Sequence, residues 1–334
     1  MKRPSFVPDN FTLALVAVVV LATLLPAQGV AARLFDTATG GVIGLLFFLH
    51  GAKLSRDAIK AGLMHWRLHL LVFACTFVMF PLLGLALKPL LQPLVTREIY
   101  TGVLFLCVLP ATVQSAIAFT SIARGNVPAA VCSASASTLL GVFVTPVLVN
   151  LVVLPHAGGV DALDSIGRIL MQLMLPFALG HLARPLIAGW MHRRKEVLGI
   201  VDRGSILLVV YTAFSAAVIE GLWKQVPLLA LAGLLVACAV ILACALFLSG
   251  WLARRLGFGK ADEITIVFCG SKKSLASGIP MAKVLFPAQS VGAIVLPLML
   301  FHQMQLMVCA VLAQRYARRV EHDAVGGTPG EVVG

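Results

Sequence analysis

The stretch FCGSKKSLASGIPMAKVLF, residues 268–286, decides the fold class. It is apolar enough to lie in a lipid bilayer, yet Lys272 and Lys273 stand side by side within it. A lysine at the bilayer centre costs roughly 3 kcal/mol on insertion scales, so such residues usually face protein or water and mark functional sites. Glycine, serine and proline surround the pair, a composition typical of a helix interrupted at membrane depth. The alternative is that both side chains snorkel to the headgroups, which the apolar residues on both sides of the pair disfavour.

The composition of the whole chain agrees with a polytopic membrane protein. Of its 334 residues, 60% are apolar and only 12% are charged, whereas about a quarter of the residues in soluble domains are charged. Apolar runs of roughly 17 to 25 residues are long enough to cross a bilayer as helices. They predict an all-α protein with ten transmembrane helices, at residues 10–28, 38–55, 67–88, 99–123, 127–154, 164–191, 200–221, 226–253, 262–286 and 288–315.

The distribution of basic residues predicts how these helices are oriented. The net charge of +12 is spread over the loops and forms no single stripe, so it does not indicate nucleic-acid binding. With both termini in the cytoplasm, sixteen Lys and Arg residues fall in inner loops or termini and five in outer loops. This positive-inside bias favours an even number of spans. We therefore expect an integral protein of the plasma membrane, the inner membrane in bacteria, with cytoplasmic N- and C-termini.

An internal repeat divides the chain into two halves. Shifting the sequence by 159 residues aligns the fourth and fifth spans with the ninth and tenth, and places Ser115 on Ser274. Each half holds five spans, an odd number, so the halves enter the membrane in opposite senses, as in many secondary transporters. We assign residues 1–155 to the first repeat and 156–317 to the second, and expect residues 318–334 to be a disordered cytoplasmic tail.

Polar side chains gather at corresponding places in the two halves. Pro110 removes a backbone donor from the fourth span, and hydroxyl and amide side chains follow it directly. In inverted repeats the interrupted helices of both halves meet near the bilayer midplane, where their exposed ends bind ions and substrate. The alternative is that these small polar residues only hold helices together. The predicted substrate- and ion-binding residues are Thr112, Gln114, Ser115, Ser133, Ser137, Thr138, Ser271, Lys272, Lys273, Ser274 and Gln303.

The cysteines, the histidines and the known motifs do not predict a metal site or an enzyme. The seven cysteines lie in apolar spans without CxxC spacing, and the eight histidines lack the spacing of metal ligands. The sequence also has no HExxH, no phosphate-binding loop and no nucleophile paired with His and Asp. We therefore expect no enzymatic activity and no resident cofactor.

The chain resembles the bile acid:sodium symporter family, solute carrier family 10. The resemblance rests on FFLHGAKL at 47–54, FVMFPLLG at 77–84, SIARGNVPAAVCSASASTLLGVFVTP at 121–146 and FCGSKKSLASGIPMAK at 268–283, and is strongest for the branch with the motif FCGSxKSLxxGIPMxK. It implies ten spans in two inverted repeats, with spans three to five and eight to ten forming a core and the others a panel. It also implies that substrate binds between core and panel, behind the crossing fourth and ninth helices.

The chain departs from the sodium-binding members of this family at three positions. Those members carry an acidic residue and a glutamine in the ninth helix and a glutamine in the third. Here these positions fall at Phe268 or Cys269, at Lys272 or Lys273, and at Thr76, which joins the predicted site. A unit charge 4 Å from Na⁺ repels it by about 4 kcal/mol at an effective dielectric constant of about 20. We therefore do not expect sodium coupling to be retained unchanged.

Three mechanisms stay open at this point. A lysine ammonium stands where a sodium ion would sit, or a desolvated lysine loads and releases a proton in each cycle, or the lysines attract an anionic group of the substrate. We expect a symporter-like secondary active transporter of an organic anion, bile-acid-like or another carboxylate or sulfate, and leave Na⁺ and H⁺ open as coupling ions. The alternative is a membrane regulator of ion homeostasis that transports nothing.

Overall fold

The computed structural model describes residues 10–53, 65–91, 93–157, 173–219, 221 and 228–325, and its regular structure there is entirely helical. We number the helices in chain order and mark the two parts of an interrupted helix a and b. They are α1 Asn10–Leu24, α2 Gly29–Lys53, α3 Trp66–Ala86, α4a Arg97–Val108, α4b Val113–Ile122, α5 Val127–Val153, α6 Leu175–Arg193, α7 Lys195–Ile219, α8 Leu228–Arg255, α9a Lys260–Gly270, α9b Leu275–Leu285 and α10 Ala288–Val325.

The lengths and hydropathies of these helices confirm an all-helical polytopic membrane protein. Among the described residues, α2, α3, α5, α7, α8 and α10 are each long and apolar enough to cross a membrane. The pair α4a and α4b, bent by 62°, adds a seventh span if it is counted as one. The predicted number of ten is larger, because α1 has only 15 residues, α6 carries His181 and Arg184, and α9 is interrupted.

Two helices extend beyond the spans predicted from hydropathy. α2 begins at Gly29 rather than near residue 38, and α10 continues to Val325, into the tail that we expected to be disordered. Hydropathy marks where contact with lipid ends, whereas a helix continues until a breaking residue such as glycine intervenes, and two glycines follow Val325. Residues 158–172, which include part of the predicted sixth span, and residues 326–334 lie outside the described residues.

The helices pack as two groups. In the first, α2 and α6 approach each other so closely that a Cβ atom at Gly51 would lie 2.0 Å from Phe177 O, and one at Gly180 would lie 1.9 Å from Phe48 O. Small residues allow such contact between membrane helices. α1 and α7 complete this group, and α3, α4a, α4b, α5, α8, α9a, α9b and α10 form the second. α7 also packs against α9b and α10, so it lies between the two groups.

Candidate functional site

The interruptions of α4 and α9 lie against each other. α4 is interrupted over residues 109–112 and α9 over residues 271–274, close to where proline, glycine and serine predicted the breaks. The backbone N–H of Ser274 donates to Pro110 O over 2.9 Å and joins the two breaks directly. Both segments therefore contribute to one site, although they are far apart in the sequence.

The two interruptions are not separated by the 159 residues of the predicted repeat. The helices that follow the two breaks begin at Val113 and Leu275, which are 162 residues apart, 275 minus 113, rather than the predicted 159. Thr112 and Ser274 each precede the first residue of a helix, where oxygen side chains are favoured. Ser274 caps its helix by accepting a hydrogen bond from Ser277 N at 3.2 Å. A shift by 159 matched side-chain identities and ignored insertions between the elements.

Lys273 is fully buried where the two breaks meet. Its ammonium group donates to Thr76 O at 2.7 Å and to Cys107 O and Leu109 O at 2.8 Å each. Each of the three N–H donors of an ammonium group thus has an oxygen acceptor. The ring of Phe80 also lies 4.2 Å from the Nζ atom, at a distance that suits a cation–π contact. Backbone dipoles and one aromatic ring therefore compensate this buried cation.

The carbonyl of Thr76 is available because α3 is irregular at that point. α3 contains a π turn at Cys75–Met79, in which Phe80 N donates to Cys75 O. In the same register Thr76 O would accept from the residue after Phe80. That residue is Pro81, which has no N–H. The Thr76 hydroxyl donates to a carbonyl of its own helix. Thr76 therefore takes part in the site through its backbone and not through the side chain that the family resemblance indicated.

The other two carbonyls lie at the end of α4a. Carbonyls in the last turn of a helix have no partner within the helix, and the negative end of the helix dipole favours a cation beside it. Ala111 N, which could otherwise continue the helix by bonding to Cys107 O, donates instead to the hydroxyl of Ser137 at 3.1 Å. Lys273 thus caps α4a, which ends before Pro110.

Gln305 of α10 holds the backbone of the same lysine. Its Oε1 atom accepts from Lys273 N, and its Nε2 atom donates to Lys273 O, both over 3.0 Å. Gln305 is fully buried and also contacts His302 Nδ1 at 2.9 Å. Gln303, which we selected from the sequence, is not among the residues that line the cavity described below. Hydropathy alone did not reveal which face of α10 meets the break.

Lys272 has different surroundings from its neighbour. Its Nζ atom lies 3.8 Å from the centroid of the Phe119 ring and 5.7 Å from that of Phe268. It is fully buried, and no oxygen of the described residues accepts a hydrogen bond from it. Lys272 therefore relies on aromatic faces where Lys273 has three carbonyls.

A cavity of about 460 Å³ separates the two groups of helices. The wall formed by α1, α2, α6 and α7 carries an apolar part, with Phe11, Leu46, Phe177 and Ile206, beside the ionisable residues described below. The facing wall, formed by α4b, α5, α9b and α10, is rich in hydroxyl and amide groups. Five of the predicted site residues line it, namely Thr112, Gln114, Ser115, Thr138 and Ser274.

The three other predicted serines form hydrogen bonds within the second group of helices. Ser133 shares a hydrogen bond of 2.7 Å with His69 Nδ1, and Ser137 binds Ala111 as described above. The hydroxyl of Ser271 donates to Val267 O of α9a at 2.6 Å. Neither they nor the two lysines line the cavity in this conformation. The sequence grouped these residues with the cavity residues because both sets are polar groups in apolar spans.

The first turns of two helices face the cavity. Residues 112–115 open α4b and residues 274–277 open α9b, and all of these residues are part of the lining. The first N–H groups of a helix lack partners within it, and the helix dipole places partial positive charge there. Such helix ends bind carboxylate, sulfate and phosphate groups. The polar wall of the cavity is therefore suited to an anionic group.

Ionisable residues that the sequence pattern did not indicate line one end of the cavity. His50 and Lys53, at the end of α2, lie with Asp202 and Arg203 near the start of α7, and Lys53 forms an ion pair with Asp202. Charged residues at the ends of apolar spans usually mark the membrane boundary. Only the packing of α2 beside α7 reveals that these four residues reach the cavity.

Away from the charged end of the cavity, another ion pair joins the two groups of helices. Lys283 of α9b donates to Asp36 of α2 over 2.7 Å. Asp36 and Lys53 are about 26 Å apart along α2, at 1.5 Å per residue. The cavity thus has charged residues at one end, and an ion pair bridges the two groups of helices towards the other.

The family of the chain follows from comparison with known proteins. The model of the SBF-like CPA transporter family matches residues 9–318. The chain belongs to this family. The resemblance to bile acid:sodium symporters found in the sequence is thereby confirmed, and the protein is an integral membrane transporter by family.

Individual relatives cover nearly the whole chain. A protein of Pseudomonas aeruginosa without an assigned function is 71% identical over 319 residues, 96% of each chain. YfeH of Escherichia coli, described as a candidate symporter, is 57% identical over 313 residues, 94% of each chain. Sodium/bile acid cotransporter 7 of Danio rerio is 29% identical over 312 residues, 90% of this chain and 91% of the fish protein. These relationships support a small-molecule substrate and a membrane setting.

Proposed function

We propose that this protein is a secondary active transporter of a small organic anion, with a carboxylate or sulfate group, that works by alternating access. The observation that supports this substrate class best is the cavity between the two groups of helices, which the first turns of both α4b and α9b line. The apolar part of the opposite wall, formed by Phe11, Leu46, Phe177 and Ile206, suits the hydrocarbon part of an amphipathic anion such as a bile acid. Ten spans in two inverted repeats, the arrangement that the family resemblance implies, would place this cavity at the repeat interface.

We further propose that Lys273 takes the place of a coupling sodium ion. Three backbone carbonyls around its ammonium group are the kind of oxygen ligand that a hard cation prefers. A sodium ion 4 Å from this group would be repelled by about 4 kcal/mol at an effective dielectric constant of about 20. Among the described residues no carboxylate forms an ion pair with Lys272 or Lys273. Transport is therefore expected to proceed without sodium.

The position of the cavity suggests which side of the membrane it serves. Phe11 at the start of α1, Lys53 at the end of α2 and Asp202 near the start of α7 all line it. The positive-inside bias of the sequence places these helix ends in the cytoplasm. In the proposed cycle this conformation faces inward, and the Asp36–Lys283 ion pair helps to close the outer side.

Uptake into proteoliposomes tests the proposed function. The purified protein is reconstituted, and the entry of labelled taurocholate and of smaller carboxylates and sulfates is measured with a sodium gradient, with a proton gradient and with neither. We expect saturable uptake of at least one anion, reduced in Gln114→Leu, which alters the cavity wall, and unchanged in Gln314→Leu, an exposed residue of α10 outside the cavity. A folded protein that moves none of these anions would favour the non-transporting membrane regulator instead.

A further inference from the structure

A groove on the surface of the second group of helices lies apart from the cavity described above. It runs between α8 and α10, has a volume of about 620 Å³, and is lined by apolar residues that include Ala243, Phe247, Val308 and Leu312. The Phe247 side chain is 64% exposed and that of Val308 is 43% exposed. The groove and the cavity share no lining residue.

The groove has the length of one lipid leaflet. Its lining residues on α10 run from Met307 to Tyr316, which is about 14 Å at 1.5 Å per residue. The hydrocarbon core of a bilayer is about 30 Å thick, so one leaflet supplies roughly half of that. An acyl chain lying along α10 would therefore fill the groove from the headgroup region towards the bilayer centre.

One end of the groove carries positive charge. Arg315 lines this end, is exposed, and forms no ion pair within the described ranges. The acid nearby, Glu263, is already bonded to Arg254 and Lys260 over 3.0 Å each, and Lys260 also lies over the Tyr316 ring at 5.1 Å. The two cations outnumber this acid, so Arg315 remains available to an external anion.

From these observations we propose that the groove binds one anionic phospholipid, with an acyl chain between α8 and α10 and the phosphate on Arg315. The apolar lining alone would accept any lipid, and Arg315 supplies the preference for negative charge. Basic residues near the membrane surface contribute about 1 kcal/mol each to the attraction of anionic lipids. This site is independent of the proposed transport activity.

Lipid retention by the purified full chain tests the site. The protein is exchanged into detergent, phosphatidylglycerol or phosphatidylcholine is titrated in, and native mass spectrometry counts the lipids bound per chain. We expect one phosphatidylglycerol to bind about fivefold more weakly to Arg315→Gln, in line with about 1 kcal/mol per basic residue. Ala243→Trp should weaken binding at least as much, because the new ring fills the groove at an exposed position that tolerates it.

The matched control is Arg193→Gln, which removes an exposed arginine of α6 that does not line the groove. It should retain phosphatidylglycerol like the unaltered protein. Equal binding of phosphatidylcholine, equal loss in the control variant, or full retention by Ala243→Trp would each overturn the proposal. A lipid-free dimer of the unaltered protein would also overturn it, because the groove would then be a contact between two copies of the chain.

Discussion

Replacing each of the two adjacent lysines by methionine should separate their roles. Lys273→Met leaves three buried carbonyls without a donor, and each unsatisfied buried polar group costs about 1–3 kcal/mol. Removing a buried cation offsets part of this cost, so we expect a net loss of about 3 kcal/mol. Lys272→Met gives up contacts with two aromatic rings, worth up to about 2 kcal/mol, but also removes a buried cation without an oxygen partner. For Lys272→Met we expect a net change near zero.

Thermal unfolding measures this difference. Purified variants in the same detergent are heated while tryptophan fluorescence is recorded, and gel filtration confirms that each variant elutes like the unaltered protein before heating. At about 2.1 cal/mol/K of unfolding entropy per residue, 1 kcal/mol shifts the midpoint of this 334-residue chain by roughly 1.5 °C, so Lys273→Met should unfold about 4 °C lower. Lys272→Met should stay within about 1 °C of the unaltered protein on the same scale.

Two results would refute this reasoning. If both variants lost the same stability, the three carbonyl contacts of Lys273 would make no contribution to stability beyond that of burying a cation. If Lys272→Met alone were destabilised, the aromatic contacts would be the stronger compensation. The comparison is well matched because the two residues are adjacent, equally buried and changed to the same side chain.

Three further predictions concern transport and the contacts around the break. Replacing sodium by choline should leave the initial rate of anion uptake unchanged in proteoliposomes, whereas complete loss restored by millimolar sodium would show that cation sites persist. Gln305→Leu should lower the unfolding free energy by about 2 kcal/mol, since two hydrogen bonds to Lys273 are lost, while Gln314→Leu on the exposed face should not. Asp36→Asn should weaken the contact with Lys283 that favours closure of the outer side. A thiol reagent added outside should then label a cysteine placed at the cavity faster than in the unaltered protein. An unchanged labelling rate would argue against that role of the ion pair.

Local composition predicted where the helices break but not what the broken ends bind. Glycine, serine and proline weaken a helix wherever they stand, so the interruptions near Pro110 and Ser271 could be placed from the sequence. The acceptors of Lys273 are carbonyls of α3 and α4a, up to 197 residues away in the chain. Every residue carries a carbonyl, so nothing in the side-chain pattern distinguishes the three that lack a helical partner.

The sequence predicted some of the residues that line the cavity but not the charged ones. Hydroxyl and amide residues in apolar spans stood out against their surroundings, and Thr112, Ser115 and Ser274 do line the cavity. Asp202 and Arg203 stand near the start of an apolar span, and a position at the end of a span gives no sign of which helix packs beside it. The packing of α2 on α6 and α7, which depends on contacts such as that of Gly51, decides their place.

The ends of the broken helices explain how this site could dispense with a sodium ion. α4b and α9b direct their positive first turns towards the cavity, whereas the negative last turn of α4a faces Lys273. An anionic substrate complements the positive first turns of α4b and α9b. It does not complement the negative last turn of α4a, which needs a cation whether or not substrate is bound. In the mechanism proposed above that cation is covalently part of the chain, so it holds the two breaks together at any sodium concentration. A cation that never dissociates cannot draw free energy from a sodium gradient. Accumulation of substrate must then be driven by another ion, because without one the protein would only equilibrate the substrate down its own gradient.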